Sequence, residues 1–248
     1  MNYEIAIPSY NRTAILSSHT LSMLESFKIP HSILTVFVAS AEEEVKYREV
    51  VPATIRIVVG EKGVRAIRNI ITNHYPEDAW VVSIDDDIDG FVECVSTKER
   101  RPVTDLDAWI RTAFQECVKK NYNLWGIYPM NNPFYSFKLK PMSQDRKFCI
   151  GHFFGVINKK VTTHIDYKED YERSIRYTKR DGGVIRFNHI SAVTKFGRKG
   201  GVDKTAKERL PVYKKEIEYL VAEFPNIIRL NPKREGEILL KSKVLLGQ

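Results

Sequence analysis

Apolar positions in the first third of the chain switch between two periods. Tyr3–Ile7 is a short, mostly apolar run of strand length. Thr13–Phe27 places Ile15, Leu16, Leu24 and Phe27 at helical spacing. Ile33–Ala39 and Ile55–Val59 return to the strand pattern. Gly63–His74 is again helical, with Val64, Ile67, Ile70 and Ile71 inward, and Trp80–Ile84 is a fourth strand that runs into three aspartates. This alternation predicts an α/β fold with a parallel, Rossmann-like sheet. Ligands of such sheets bind beyond the carboxyl ends of the strands, so the residues after each strand are the candidates for chemistry. No Gly-x-Gly-x-x-Gly follows the first strand, which argues against a dinucleotide enzyme.

The second half is less regular. Leu106–Lys120 reads as a helix buried through Trp109, Ile110, Ala113, Phe114 and Cys117. Three apolar pieces follow, Leu124–Tyr128, Phe148–Ile157 and Val184–Val193, separated by polar or Pro-containing loops. With no repeat and no linker, residues 1–248 are expected to form one domain around a mixed sheet with helices on both faces.

Composition narrows the class. Of 248 residues, 43% are hydrophobic and 11% aromatic, which excludes a disordered chain. No apolar run approaches the roughly 18–20 residues of a membrane span. The start, MNYEIAIPSYNR, shows no basic segment ahead of an apolar stretch, so no signal peptide and a cytoplasmic location are expected. Three scattered cysteines, Cys94, Cys117 and Cys149, support neither a disulfide framework nor a zinc cluster. The net charge of +8 points to an anionic partner. It is concentrated: Lys195–Lys215 holds eight Lys/Arg against two acids. That stretch opens with the Gly-rich Phe196–Gly201 and continues into a helix with Pro211 near its first turn and Tyr213, Ile217, Leu220, Val221 and Phe224 inward. Lys195, Arg198 and Lys199 suit a phosphate clamp; the plainer alternative is a solvated loop and helix face.

The strongest local signal is Asp85-Asp86-Asp87. Adjacent carboxylates resist joint ionisation unless a cation or donors neutralise them. Strand alternation would place Asp85 and Asp87 on one side, where they can hold Mg²⁺ or Mn²⁺ on a diphosphate, and Asp86 on the other. The alternative is an acidic turn. Gly60 and Gly63 lie between a strand and a helix that carries Arg65 and Arg68 three residues apart, a place for close backbone approach and for anions. After the first strand, Pro8, Tyr10, Asn11 and Arg12 offer a stacking face and a charge, or an ordinary turn.

Taken together and in this order, these three motifs resemble the GT-A glycosyltransferases, whose family-2-like members begin with a similar IPSYNR segment. The resemblance implies a nucleotide-sugar-binding half at 1–95 and an acceptor-binding half at 96–248. It implies that Pro8–Arg12, Gly60, Gly63, Arg65 and Arg68 surround the nucleotide and that Asp85 and Asp87 hold the metal, with Asp86 on the donor side. The Lys168–Arg173 segment is similar to the family's acceptor-side Glu-Asp, which makes Asp170 the candidate general base and Glu169 the second choice. Acids at a helix N-terminus are the alternative. By the same resemblance His189 is a candidate third metal ligand, and His152 lies in a Gly-framed acceptor segment.

Trp125, Tyr128, Asn131, Asn132, Phe134 and Tyr135 cluster after one strand, where they can stack on a base and read its edges or instead close the core. With the Asp triplet and the late basic region, Tyr128-Pro129-x-x-Asn132-Pro133-Phe134-Tyr135 resembles the TET/JBP-associated glycosyltransferases of bacteriophages. That resemblance implies UDP-glucose as donor and a 5-hydroxymethylpyrimidine of DNA, such as 5-hydroxymethylcytosine, as acceptor. The basic balance agrees with such a partner. Two rival readings stay open: a GT-A enzyme acting on a small molecule, protein or glycan, and a nucleotidyltransferase or non-catalytic nucleic-acid binder on the same scaffold.

Overall fold

The structure, a computed structural model, describes residues 2–195, 206–233 and 237–241. In chain order it contains β1 (Tyr3–Pro8), α1 (Thr13–Leu16), α2 (Ser22–Ser26), β2 (Leu34–Val38), α3 (Ala41–Arg48), β3 (Arg56–Val59), α4 (Val64–His74) and β4 (Trp80–Ile84). Then come β5 (Ile88–Cys94), β6 (Arg100–Pro102), α5 (Leu106–Lys120), β7 (Leu124–Ile127), α6 (Pro133–Ser136), β8 (Met142–Asp145) and β9 (Phe153–Ile157). The chain continues with α7 (Glu169–Asp181), β10 (Val184–Phe187), β11 (Ile190–Thr194), α8 (Ala206–Glu223), β12 (Ile228–Leu230) and β13 (Ile238–Leu240).

Eight strands form the main sheet in the order β3-β2-β1-β4-β9-β7-β10-β8. β1 to β4 are parallel, β9 is antiparallel to both β4 and β7, and β10 is parallel to β7. The sheet is mixed, as expected. The carboxyl ends of β1–β4, β7 and β10 therefore share one edge with the residues that lead into β9. Ser9, Ala39, Gly60, Asp85, Tyr128 and His152 all emerge there.

The local reasons are ordinary chemistry. The Asp105 side chain caps α5 by accepting from the Ala108 amide at 2.9 Å, and Asn121 ends the helix in the left-handed region at φ 57°. Between them Leu106, Ile110, Ala113, Phe114 and Cys117 form the buried stripe the spacing predicts. A second, smaller core joins α7 and α8 to the β12–β13 hairpin through Ile175, Ile217, Leu220, Phe224, Ile228 and Ile238.

Several elements differ from the sequence pattern. The Thr13–Phe27 helix is interrupted by a π-helical segment, Ser17–Leu21. Val184–Val193 is not one strand. It turns at Asn188-His189 and divides into β10 of the main sheet and β11 of a separate sheet, β11-β5-β6. The turn is held by the buried Asn188 amide, which donates to the Lys140 carbonyl at 2.8 Å and to Ser143 Oγ at 2.7 Å. Pro211 lies inside α8 rather than near its first turn.

Trp125 is not an acceptor platform: it is a core residue with no exposed surface. Its indole packs against Phe114, Trp109 and Phe153 at centroid distances of 5.3 to 5.5 Å. It lies across Gly155 of β9, its register partner, where a Cβ would come within 2.2 Å of the ring. No helix among the described residues is long and apolar enough to cross a membrane.

Candidate active site

β4 ends at Ile84 and β5 starts at Ile88, so the three aspartates lie in the connecting turn. Thr20, presented by the π-helical segment, staples this turn: its hydroxyl donates to the Asp85 carbonyl at 2.7 Å and accepts from the Ile88 amide at 3.0 Å. Because a turn lacks the two-residue period of a strand, the expected alternation fails. Asp86 and Asp87 share Arg12, whose Nη1 lies 3.2 and 3.5 Å from their carboxylates. Asp85 stands apart and accepts from Arg68 Nη2 at 2.6 Å. Asp86 is buried and also accepts from Ser9 Oγ at 2.5 Å. Burial pushes its pKa up to about 6, against the pull of Ser9 and Arg12. Asp87 also accepts from Thr194 Oγ1 at 3.3 Å.

The loop after β1 is built around Ser9. Its amide donates to the Phe37 carbonyl, and its hydroxyl meets Tyr47 Oη at 2.7 Å as well as Asp86. Asn11 takes a left-handed conformation at φ 54°, and its amide donates to Glu43 at 2.9 Å. It shapes the loop and is not part of the cleft wall, whereas Pro8, Tyr10 and Arg12 are. The Lys62 ammonium sits 4.8 Å above the Tyr10 ring.

Gly63 precedes α4 at φ 120°, a conformation open to glycine. The helix N-terminus is capped from a distance: Asp166 Oδ1 accepts from the Arg65 amide at 3.1 Å. The Arg65 guanidinium donates to the His164 carbonyl and does not line the cleft. Gly60 hydrogen-bonds to the Val38 carbonyl and packs against Ile67, again short of the cleft wall.

Arg68 is buried, with both terminal nitrogens hydrogen-bonded. It donates to Ser83, to Asp85 and, at 2.9 Å, to the Gly151 carbonyl, while its Nε lies 3.8 Å from Glu169. Glu169 in turn accepts from Arg173 Nη1 at 2.6 Å. The two guanidiniums lie over one ring, Phe154, at 5.4 and 3.5 Å. Glu169 is thus locked as a counter-ion. Asp170 is the available carboxylate: it accepts from the Gly151 amide at 3.3 Å. Burial and the neighbouring Glu169 hold its pKa above the usual carboxylate range, against Arg173.

These residues meet in one cleft of about 490 Å³. It is lined by Pro8, Tyr10, Arg12, Arg68, Asp85 and Asp86 together with His152, Asp166, Tyr167, Glu169, Asp170 and Tyr213. His152 is buried beside Asp85, whose amide donates to its carbonyl at 2.9 Å, and burial lowers its imidazole pKa.

His189 does not belong with the aspartates. In the β5–β11 ladder Thr194 faces Ile88 and Ile190 faces Glu93, and the His189 carbonyl accepts from the Cys94 amide. At about 3.3 Å per residue this puts His189 some 20 Å along the strand from Asp87. Its ring stacks on Phe137 and bonds to the Leu139 carbonyl. Among the described residues no group of three or more His, Cys, Asp or Glu forms a metal cluster.

The predicted acceptor segment also divides. Tyr128 is buried with the Arg186 guanidinium 5.5 Å from its ring. Asn132 caps α6 and Asn131 accepts from Arg100. Phe134 and Tyr135 are half exposed on α6, outside the cleft lining. Lys195 is exposed, directly after Thr194; Arg198, Lys199 and the rest of the Gly-rich segment to Gly201 lie outside the described residues. The sequence pattern did not single out Tyr47, Thr20, Arg173, Asp166 or Tyr167 for the site. Tyr47, Thr20, Asp166 and Tyr167 act through contacts many residues away, which no local spacing encodes, whereas the Arg173 contact to Glu169 is an i,i+4 pair on α7 that the spacing does carry.

A mixed sheet in this order, with an acid turn after β4 that shares one cleft with the carboxylates at the start of α7, has the GT-A fold. The TET-Associated Glycosyltransferase family matches residues 3–201, and the chain belongs to that family. No curated protein matches the sequence. Among solved structures it is similar to Staphylococcus aureus TarS 1–349 in complex with UDP-GlcNAc, at 13% identity and TM-score 0.53, covering 89% of this chain and 67% of that one. It is also similar to the mannosyltransferase PcManGT of Pyrobaculum calidifontis with GDP-Man and Mn²⁺, at 14% identity and TM-score 0.51, covering 87% of this chain and 64% of that one. A mycobacterial protein matches at 10% identity and TM-score 0.55, covering 97% and 83%. The chain therefore spans about two thirds of the first two structures.

Proposed function

We propose that the protein transfers a hexose, glucose, from a UDP-sugar to the hydroxymethyl oxygen of a 5-hydroxymethylpyrimidine in DNA. The observation that carries this reading is that Asp85 and Asp170 line the same cleft, linked through Gly151, whose carbonyl accepts from the Arg68 that holds Asp85 and whose amide donates to Asp170. Family membership supports sugar transfer, and the UDP-GlcNAc held by TarS and the GDP-Man held by PcManGT support a nucleotide-sugar donor.

Pro8, Tyr10, Lys62 and Arg12 flank the nucleotide. The acid turn suits Mg²⁺ or Mn²⁺, because its donors are carboxylate oxygens and such ions take one or two carboxylates plus substrate phosphates. Asp85, which lines the cleft, would hold the ion, with Asp87 of the same turn, which in this structure pairs with Arg12 outside the cleft lining, as the second carboxylate; the ion would supply positive charge to the departing diphosphate. Arg68 fixes Asp85 for this role, and Lys195, directly after Thr194, adds charge at that end of β11.

Asp170 is the base. As the acceptor oxygen bonds to the anomeric carbon, its proton passes to the Asp170 carboxylate, the bond from C1 to the diphosphate oxygen breaks, and UDP leaves with that electron pair. A raised pKa strengthens Asp170 as a base near neutral pH. Glu169, held by Arg68 and Arg173, positions it. A reducing, cytoplasmic setting is part of this reading, and the free, buried Cys94, Cys117 and Cys149 support it.

The test is an incubation with UDP-glucose and DNA carrying 5-hydroxymethylcytosine or plain cytosine, read by UDP release and by the mass of the digested nucleosides. A hexose gain confined to the modified base is expected. Equal UDP release with both DNAs and no mass gain would overturn the DNA assignment.

A further inference from the structure

Two aromatic rings line the cleft on the Asp170 side, Tyr167 and Tyr213. They touch, with centroids 5.3 Å apart and planes at 70°. Both are only partly buried. Tyr167 belongs to the segment that leads into α7, three residues before Asp170. Tyr213 comes from α8, a different part of the chain.

The platform is held rigidly. Glu216, buried on α8, accepts from three successive backbone amides, those of Asp166, Tyr167 and Lys168, at 2.9 to 3.1 Å. Glu216 lies three residues after Tyr213 and so shares its side of the helix. One helix thus supplies one ring and clamps the backbone that carries the other. The Lys168 ammonium lies 5.0 Å from the Tyr213 ring and adds a cation beside it.

We propose that Tyr167 and Tyr213 form the surface on which the acceptor's planar ring is held during transfer. A base that receives sugar must leave its stack, and an aromatic surface is what replaces the lost stacking. The other aromatics first assigned to the acceptor are not available for this. Trp125 is in the core, Tyr128 is buried, and Phe134 and Tyr135 lie outside the cleft lining. The remaining cleft tyrosine, Tyr10, sits beyond β1 beside Lys62, on the nucleotide side. The ligand class is therefore a flat heteroaromatic ring bearing a primary hydroxyl.

The inference rests on the proposed transfer to DNA and is tested separately from it. Initial rates are measured with UDP-glucose and single-stranded DNA containing 5-hydroxymethylcytosine, varying each substrate in turn, for wild type, Tyr167→Ala, Tyr213→Ala and Tyr213→Phe. Loss of stacking should raise the acceptor KM roughly 10-fold or more in each alanine variant, with the donor KM moving less than twofold. Tyr213→Phe keeps the ring and should restore the acceptor KM. Unchanged acceptor KM in both alanine variants, or a rise confined to the donor KM, overturns the platform while leaving the transfer intact. A wild-type protein that modifies no DNA overturns both. Melting curves accompany each variant, and if an alanine variant does not fold, the acceptor KM of Tyr167→Leu, which keeps bulk without a ring, decides by the same criterion.

Discussion

Arg68 Nη2 lies 2.6 Å from Asp85 Oδ1, so the first acid of the turn has its counter-ion built into α4. The same guanidinium reaches Glu169 on α7, which ties the acid turn to the segment that carries Asp170. Removing one partner of a buried ion network leaves the other charge unpaired. Arg68→Ala should therefore cost about 3–5 kcal/mol of folding stability. Urea denaturation measures this, and a loss under about 1 kcal/mol would show that Glu169 is satisfied by Arg173 alone.

Asp170 must be ionised to accept a proton, so activity should fall as the pH drops through its pKa. Since burial and Glu169 raise that pKa, the acid limb of kcat/KM should lie near 7 rather than near 4. Asp170→Asn should lower kcat by roughly 10²–10⁴ and remove that limb. An acid limb that persists unchanged in Asp170→Asn would remove Asp170 from the role.

Asp87→Ala should lose sugar transfer by roughly 100-fold or more while keeping a cooperative melt, because Arg12 retains Asp86. EDTA should silence the wild-type protein, and added Mn²⁺ should restore it. Full turnover in EDTA would eliminate the metal.

Gly155→Ala places a methyl group where the Trp125 indole lies. Overpacking at a fully buried tryptophan should cost at least about 2 kcal/mol. A thermal melt within a degree of wild type would mean that the indole has room to move.

How far the sequence can be read depends on the range of each contact. β1 to β4, α4 and α5 are legible because their apolar period is local. The acid turn is legible because carboxylates after an apolar strand stand out. Trp125 is misread because its place is decided by Gly155, a partner on another strand. His189 is misread because an apolar run hides a turn fixed by Asn188 reaching back to Lys140 and Ser143. Asp166 is invisible as a cap because the helix it caps starts about 100 residues earlier.

Glu216 holds the Asp166–Lys168 backbone, and Asp166 in turn caps α4. A chain ended before α8 would keep every acid and arginine that the motifs name. It would nevertheless leave three amides without their acceptor and α4 without a firm cap. The unit that keeps the cleft in shape is thus longer than the stretch that displays the motifs, and α8 serves the start of the chain as a support as well as lining the cleft itself.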